Sequence, residues 1–479
     1  MIVKMNTVQR ISKNIGALTL MHIVTMGLGL IFTVSLARCF GDIAFGKYSF
    51  ALAFTALFAV FMDVGFNQLT IRDVTRDKTL AAKYIGNISI IKLFLSITFF
   101  TLVVVAVNLM QCPSDTRTIV YIFGAYTVLT SFGQLFRSIF HAFEKMEYDS
   151  LLTIVRQIII VSTGLTLLFL GYDLIHVVSV YLIGGIVDIV LSSLVMVRKF
   201  TKPKFEVDFA FWKSSIMAAI PFSLAVIFIS IFDKIDTVML SMMIGDASVG
   251  WYNAAYTIVS SLNVIPGVLL GAIYPILSKL YVSSTGSLKI TYEKSFRYLF
   301  IIAFPIGVGT TLLAAKIILC IYGDDFVYST IALRILIWLF VLSCANWLLS
   351  VVLQSINRQA ILAFFAGICA IFNVISNLFF IPRMSYVGAS ITTIATESIL
   401  FILLFFVISK YLYRLPLFRI TMKPTIAGVI MGITIYYMKN TNFFMIVMIA
   451  IAVYFAVLAV IGEITKEDIQ LIRRVVGRD

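Results

Sequence analysis

Apolar residues recur along this chain in long runs separated by brief polar punctuation, from near its first residue to near its last. A helix needs roughly 20 apolar residues to cross a bilayer core. Fourteen runs qualify, with approximate limits 14–39, 45–68, 84–109, 118–142, 150–170, 175–197, 214–244, 247–275, 298–322, 329–356, 360–382, 386–409, 424–438 and 443–462. The pattern predicts an all-α, polytopic membrane protein of about 14 transmembrane helices. The seventh and eighth runs are long enough to tilt or kink, and Pro221 and Pro266 stand where a kink is expected. The first run is too long for a signal-peptide core and has no clear cleavage site, so it reads as the first span.

One phrase is written twice. Gly41-Asp42-Ile43-Ala44-Phe45-Gly46-Lys47-Tyr48-Ser49-Phe50-Ala51 returns, 204 residues later, as Gly245-Asp246-Ala247-Ser248-Val249-Gly250-Trp251-Tyr252-Asn253-Ala254-Ala255. The shared frame is G-D-x-x-x-G-x-Y-x-x-A, and each copy lies between two apolar runs. Duplication inside a chain of membrane helices marks transporters, in which two related bundles face one another with the substrate site on their seam. A weaker echo pairs His141–Met146, closing run four, with Gln354–Gln359, closing run ten. Asp188 and Glu397 are likewise placed near the centres of runs six and twelve. The basic segment from Arg198 to Lys213 is the natural linker. The expected organisation is an N-lobe over 1–204, a C-lobe over 205–417, and two further spans with a cytoplasmic tail over 418–479.

Composition agrees with a lipid environment. The chain is 61% apolar and 13% charged, with a mean hydropathy of +1.04, whereas a soluble domain carries about 25% charge. The net charge of +14 would suit nucleic acid, but the cations are confined to alternate loops. Arg198, Lys199, Lys202, Lys204 and Lys213 share one, and Lys410, Arg414, Arg419 and Lys423 another. The intervening turns hold only Arg38, Lys47, Arg117, Arg383 and Lys439. This is the positive-inside pattern. It points to a plasma (inner) membrane protein with both termini in the cytoplasm, and away from nucleic acid. The five cysteines show no C-x-x-C spacing, so neither a metal site nor a disulfide framework is indicated. No cofactor is implied.

Phosphate-loop, dinucleotide, zinc-protease and serine-hydrolase motifs are all missing, and no outer loop is long enough for a catalytic domain. The chain therefore reads as a non-enzyme. Its spans do contain charge: Asp63, Asp188, Asp233, Asp236 and Glu397 against Lys92, Arg137, Arg156, Lys234, Lys316 and Arg334. A central charge costs ~2.5–3.5 kcal/mol in a membrane helix, so these groups must pair, snorkel or line water. Lys316 and Arg334, near outer ends, are expected to snorkel, and Asp63 to neutralise Lys92 or Arg137. Run four places Ser131, Gln134, Arg137 or Ser138, and His141 on one face. Run ten does the same with Asn346, Ser350, Gln354 and Asn357, and run eleven with Asn373, Ser376 and Asn377. Such residues either bind neighbouring helices or face a cavity. Lys92, Arg137 and Arg156, toward the cytoplasmic ends of runs three to five, would form a cationic mouth, and guanidinium donors match phosphate oxygens. Lys92, Gln134, Arg137, His141, Arg156 and Gln354 are thus the candidate headgroup residues. Asp233-Lys234-Ile235-Asp236 is either a proton or sodium site or a self-neutralised packing cluster. With Asp188 and Glu397, its three charged residues make the candidate ion-coupling set.

Together these positions resemble the polysaccharide-transporter branch of the multidrug/oligosaccharidyl-lipid/polysaccharide exporter superfamily. The resemblance runs through Asn14, Ala37-Arg38, Gly41-Asp42, Phe45-Gly46-Lys47-Tyr48, and Asp63-Val64-Gly65-Phe66-Asn67 with Arg72. It continues through Asp233-x-x-Asp236, Val249 to Ala255, Tyr274 to Ser278, Tyr322 to Phe326, and Asn373 to Asn377 followed by Ile381-Pro382. It implies two six-helix lobes around a cavity, two extra helices, and a flippase for polyprenyl-(pyro)phosphate-linked oligosaccharide. That substrate would move from the cytoplasmic to the outer leaflet by alternating access, for O-antigen, capsule or other surface glycan. Partners implied are the lipid-linked oligosaccharide, membrane lipids and a glycan polymerase or ligase, with the transporter itself a monomer. Lipid II flippases of the superfamily carry cavity-facing arginines in span one. Here only Arg38 stands there, at the edge, which points away from that subtype. The alternative is a cation-coupled multidrug or small-molecule antiporter of the same superfamily, against which spans thirteen and fourteen and the first-lobe cations count. A membrane glycosyltransferase would need sizeable outer loops.

Overall fold

The structure, a computed structural model, describes residues 7–438 and 440–463, and their side chains except those of 7–12, 15 and 220–226. Lys439 and the Pro221 side chain, both given roles above, lie outside the described residues. Every regular element described is a helix. In chain order they are α1 (Thr7–Asp63), α2 (Phe66–Arg76), α3 (Ala81–Leu109), α4 (Ser114–Ala142), α5 (Met146–Phe169), α6 (Leu174–Lys199) and α7 (Phe209–Met243). There follow α8 (Asp246–Ser261), α9 (Val264–Ser283), α10 (Thr285–Ile321), α11 (Ser329–Ser355), α12 (Gln359–Tyr411), α13 (Leu417–Tyr437) and α14 (Phe443–Val460).

Eleven described segments are long and apolar enough to cross a membrane. Two of them, of 48 and 53 residues, are too long for one crossing, since ~20 residues suffice. Each is broken at a single residue. Gly41 (φ 76°) divides α1, and Ser385 (φ 52°) divides α12. Counted on either side of these breaks, and with the 35-residue α7, the helices supply the fourteen expected spans. Gly41 and Gly245 (φ 126°) hold left-handed conformations that glycine adopts without a Cβ clash. They open the two copies of the repeated phrase.

Two local features depart from the hydrophobic pattern. Residues 66–68, read as the end of the second span, instead begin α2, a short amphipathic helix that buries Phe66, Leu69, Thr70 and Val74. Val64 and Gly65, both with positive φ, turn the chain into it. The eighth run is split into α8 and α9 at Leu262–Asn263. Pro266 explains the position: lacking an N–H, it cannot bond the carbonyl four residues back, at Leu262. The weaker sequence echo also has a structural form. Glu144 (φ 57°) and Asn357 (φ 59°) end α4 and α11 in left-handed turns. Lys145 N bonds Phe140 O at 2.8 Å, and Arg358 N bonds Leu353 O at 2.8 Å.

The chain forms two compact units, residues 1–257 with 363–389, and residues 258–362 with 390–479. In the first, α4 runs along α6, and α5 along α1. Glycine permits a close approach of α4 to α6, since a Cβ on Gly133 of α4 would collide with the Asp188 carboxylate of α6. In the second unit, α10, α13 and α14 share a core of Leu313, Ala427, Met431, Ile435, Ile446, Tyr454 and Leu458. The division of the sequence into lobes at 204 and 417 is a proposal about duplication.

Candidate functional site

Four charged side chains interlock inside the first unit. Arg137 is 5% exposed. Its Nε lies 2.8 Å from Asp149 Oδ1, and its Nη1 pairs with Asp188 Oδ1. Arg156 Nη1 stands 3.4 Å from the other Asp188 oxygen. His141 Nε2 meets Asp149 Oδ2 at 2.8 Å. Local structure explains the assembly. The turn after α4 starts α5 at Met146, which puts Asp149 in the first turn of α5. An acid is favoured there by the exposed N–H groups, and the position faces the last turns of α4. Two cations and two carboxylates balance one another, as burial requires. One donor is left over: Arg156 Nε is buried without a hydrogen-bond partner. Gln134, one turn before Arg137 on α4, is exposed.

Lys92 belongs to a neighbouring cluster. It is fully buried and lies 2.9 Å from Asp63, 2.9 Å from Ser131 Oγ, 3.1 Å from Ser131 O and 3.3 Å from Asn67 Oδ1. An ammonium has three donors, and these oxygens occupy them all. Of the two partners foreseen for Asp63, the structure selects Lys92.

The two acids of α7 separate into different settings. Asp233 is exposed and paired with Lys234 at 2.7 Å, with Tyr256 OH donating to it at 2.5 Å. Asp236 is buried and accepts from Tyr252 OH at 3.0 Å and from Asn377 Nδ2. Asn377 Nδ2 also reaches Asn373 Oδ1 at 3.0 Å. Both asparagines are fully buried, and Asn377 Oδ1 has no hydrogen-bond partner. Asp188, foreseen as an ion coupler, sits instead between two arginines. In the second unit, Glu397 is buried; Ser343 Oγ donates to its carboxylate at 3.2 Å and Asn346 Nδ2 to its main-chain oxygen at 2.9 Å. Gln354 is exposed on α11. Lys316 reaches the main-chain oxygen of Thr441 at 3.0 Å, and Arg334 is exposed.

A family model described as polysaccharide biosynthesis protein matches residues 11–281, more than half of the chain. The chain belongs to that family. A second model, MatE, matches residues 221–379 of this family member, the stretch that contains Asp233, Asp236, Asn373 and Asn377. An uncharacterized membrane protein of Methanocaldococcus jannaschii is 24% identical over 325 residues, which are 66% of this chain and 64% of that protein. The chain thus matches less than two thirds of the length of that relative. Among solved structures, the lipid II flippase MurJ in an inward closed conformation superposes with a TM-score of 0.78. It is 18% identical, over 93% of this chain and 99% of that one. An inward-facing multidrug resistance MATE family transporter gives 0.65, at 16% identity over 81% and 95%. A transporter of the same superfamily from Pyrococcus furiosus gives 0.58, at 15% identity over 83% and 96%. The chain shares the fold of these solved transporters, and this member of the polysaccharide biosynthesis protein family is a multi-pass membrane protein.

Sequence reasoning missed Asp149, which binds both Arg137 and His141. Its signal was present: the acids of Glu147-Tyr148-Asp149 follow a turn directly after a helix that ends in Arg137 and His141. Asn67 as a partner of Lys92 had no signal of that kind, because α2 was read as part of a span and a loop.

Proposed function

We propose that this family member carries a polyprenyl-(pyro)phosphate-linked oligosaccharide from the cytoplasmic to the outer leaflet by alternating access. In this reading it sits in the plasma (inner) membrane with both termini in the cytoplasm. It acts as a monomer and passes its product to a glycan polymerase or ligase. The observation that carries the proposal is the arrangement around Arg156. Arg137 is engaged by two carboxylates and Lys92 by four oxygens, whereas Arg156 holds a buried, unused Nε donor beside a charge network. A phosphate oxygen would complete it. An apolar groove of about 330 Å³ in the second unit, lined by Ile306, Gly309, Met431, Ile435, Val447 and Tyr454, suits the hydrocarbon chain of such a substrate. The test is export of surface glycan in cells that depend on this protein. Arg156→Ala should lower it about tenfold or more, as for a lost charge-assisted hydrogen bond, with Arg156→Lys intermediate and membrane insertion unchanged. Normal glycan in Arg156→Ala would refute the phosphate role.

A cation-coupled antiporter is the second reading, favoured by the MatE match over 221–379. In both readings we assign the coupling cation, proton or sodium, to Asp236. It is the buried acid of α7, and the unused Asn377 Oδ1 adds an oxygen beside it. Resistance to cationic dyes conferred by the protein, without any effect on surface glycan, would favour the antiporter.

A further inference from the structure

The two copies of the repeated phrase meet each other. Gly46 of the first copy lies on the main chain of Asp246, and Gly250 of the second lies on the main chain of Asp42. A Cβ on either glycine would come well under 3.0 Å from that carbonyl oxygen, a separation that real Cβ atoms do not adopt. The sixth residue of each copy therefore faces the second residue of the other. Such reciprocity is the mark of a self-complementary interface, here formed within one chain. Side chains extend it in both directions. Trp251 Nε1 donates to Asp42 Oδ2 at 2.8 Å. Lys47, the equivalent of Trp251 in the first copy, pairs with Asp115 and lies within electrostatic reach of Asp246. A third turn joins them: Ser248 Oγ is 3.0 Å from Ser385 Oγ, and the Trp251 ring meets Tyr386 edge-on at 5.4 Å.

We propose that the repeated phrase is a clasp. It shuts one face of the transporter by fitting α1 and α8 main chain to main chain, and its opening is a step of the transport cycle. The proposal rests on the transport reading, and in the orientation given above the face is the outer one. Two features suit a contact that must part. The two copies meet through a glycine-on-carbonyl fit on each side and the hydrogen bond from Trp251 to Asp42. Moreover, the chain changes unit within α8, between Thr257 and Ile258. The helix then breaks at Leu262–Asn263, a hinge of the kind that lets a helix end swing.

Two experiments test this in a variant whose five cysteines are replaced. Asp42→Cys with Trp251→Cys should form an intramolecular disulfide under mild oxidation, stop glycan export, and regain it with reductant. Export that continues while the disulfide is intact overturns the clasp. The second experiment needs no substrate. Ser248→Cys, 5% exposed in the wild-type residue, should react slowly with a membrane-impermeant maleimide. Adding Gly46→Ala or Gly250→Ala should speed labelling about tenfold or more, because a 1.4 kcal/mol bias is tenfold in population; labelling at the parental rate overturns the proposal. If those variants fail to insert, Trp251→Phe, which removes only the hydrogen bond to Asp42, should raise labelling by a smaller factor, and no rise overturns it. Because labelling reads the clasp directly, it stands or falls separately from the identity of the substrate.

Discussion

At the scale of single residues, the charged groups divide into those that hold the fold and those with capacity to spare. Arg137 binds two buried carboxylates at once. Arg137→Ala should therefore strand Asp149 and Asp188 and lose roughly 3–5 kcal/mol of stability, read as a lower melting temperature in detergent. Arg156→Ala, which leaves Asp188 its contact with Arg137, should lose less stability than Arg137→Ala. Asp236→Asn should keep the fold, since an amide can still accept from Tyr252, but should abolish the dependence of transport on pH or on sodium. Outside the spans, Asp208 caps α7 by accepting from Phe211 N at 3.0 Å and pairs with Lys83 at 2.7 Å. The hydrogen bond from Lys83, with the helix N–H, holds its carboxyl below the usual range. A carboxyl depressed on folding adds stability above its unfolded value of about 3.9 and loses it as pH falls through the folded one. Asp208→Asn should thus lower thermal stability at neutral pH, with the difference from the parent shrinking below about pH 4 in a thermal scan as the parent loses the same contribution.

At the scale of elements, the apolar runs read directly as helices because lipid permits no other use for them: every backbone group must bond within its own segment. The breaks were less legible. Pro266 announced the α8–α9 break, since its missing N–H acts locally. The break in α1 turns on Gly41, whose φ of 76° costs an alanine roughly 1–2 kcal/mol. Gly41→Ala should lower thermal stability by about that amount. Ser385, by contrast, takes φ 52° without being glycine, and nothing in its local sequence forecast it. Its hydroxyl bond to Ser248, distant in sequence, accompanies that conformation. The amphipathic α2 was hidden by composition: Phe66 and Leu69 prolong an apolar run, and only the turn at Val64–Gly65 separates them from it.

At the scale of the whole molecule, duplication was visible because it is written in letters. The reciprocal fit of its two copies was not, because a glycine's purpose depends on which backbone approaches it. The apolar groove of the second unit was equally invisible, since α10 and α13–α14 are far apart along the chain. It offers a test that separates the two functional readings. A Cβ on Gly309 meets only Ile435 and Met431, both at 4.0 Å, so Gly309→Leu should insert normally while filling the groove. Export of a lipid-linked glycan should then fall severalfold, whereas efflux of a soluble dye should be unaffected.

The order of residues by itself determined that this is a membrane protein of fourteen helical spans in which one phrase is written twice. Hydrophobic length, cation placement and a duplicated phrase are properties of the chain alone. Which charges pair, and which donor is left unused, was decided by tertiary structure. In a dry interior a charge must find an opposite one wherever the fold brings it, and Asp188 lies 51 residues from Arg137 and 32 from Arg156.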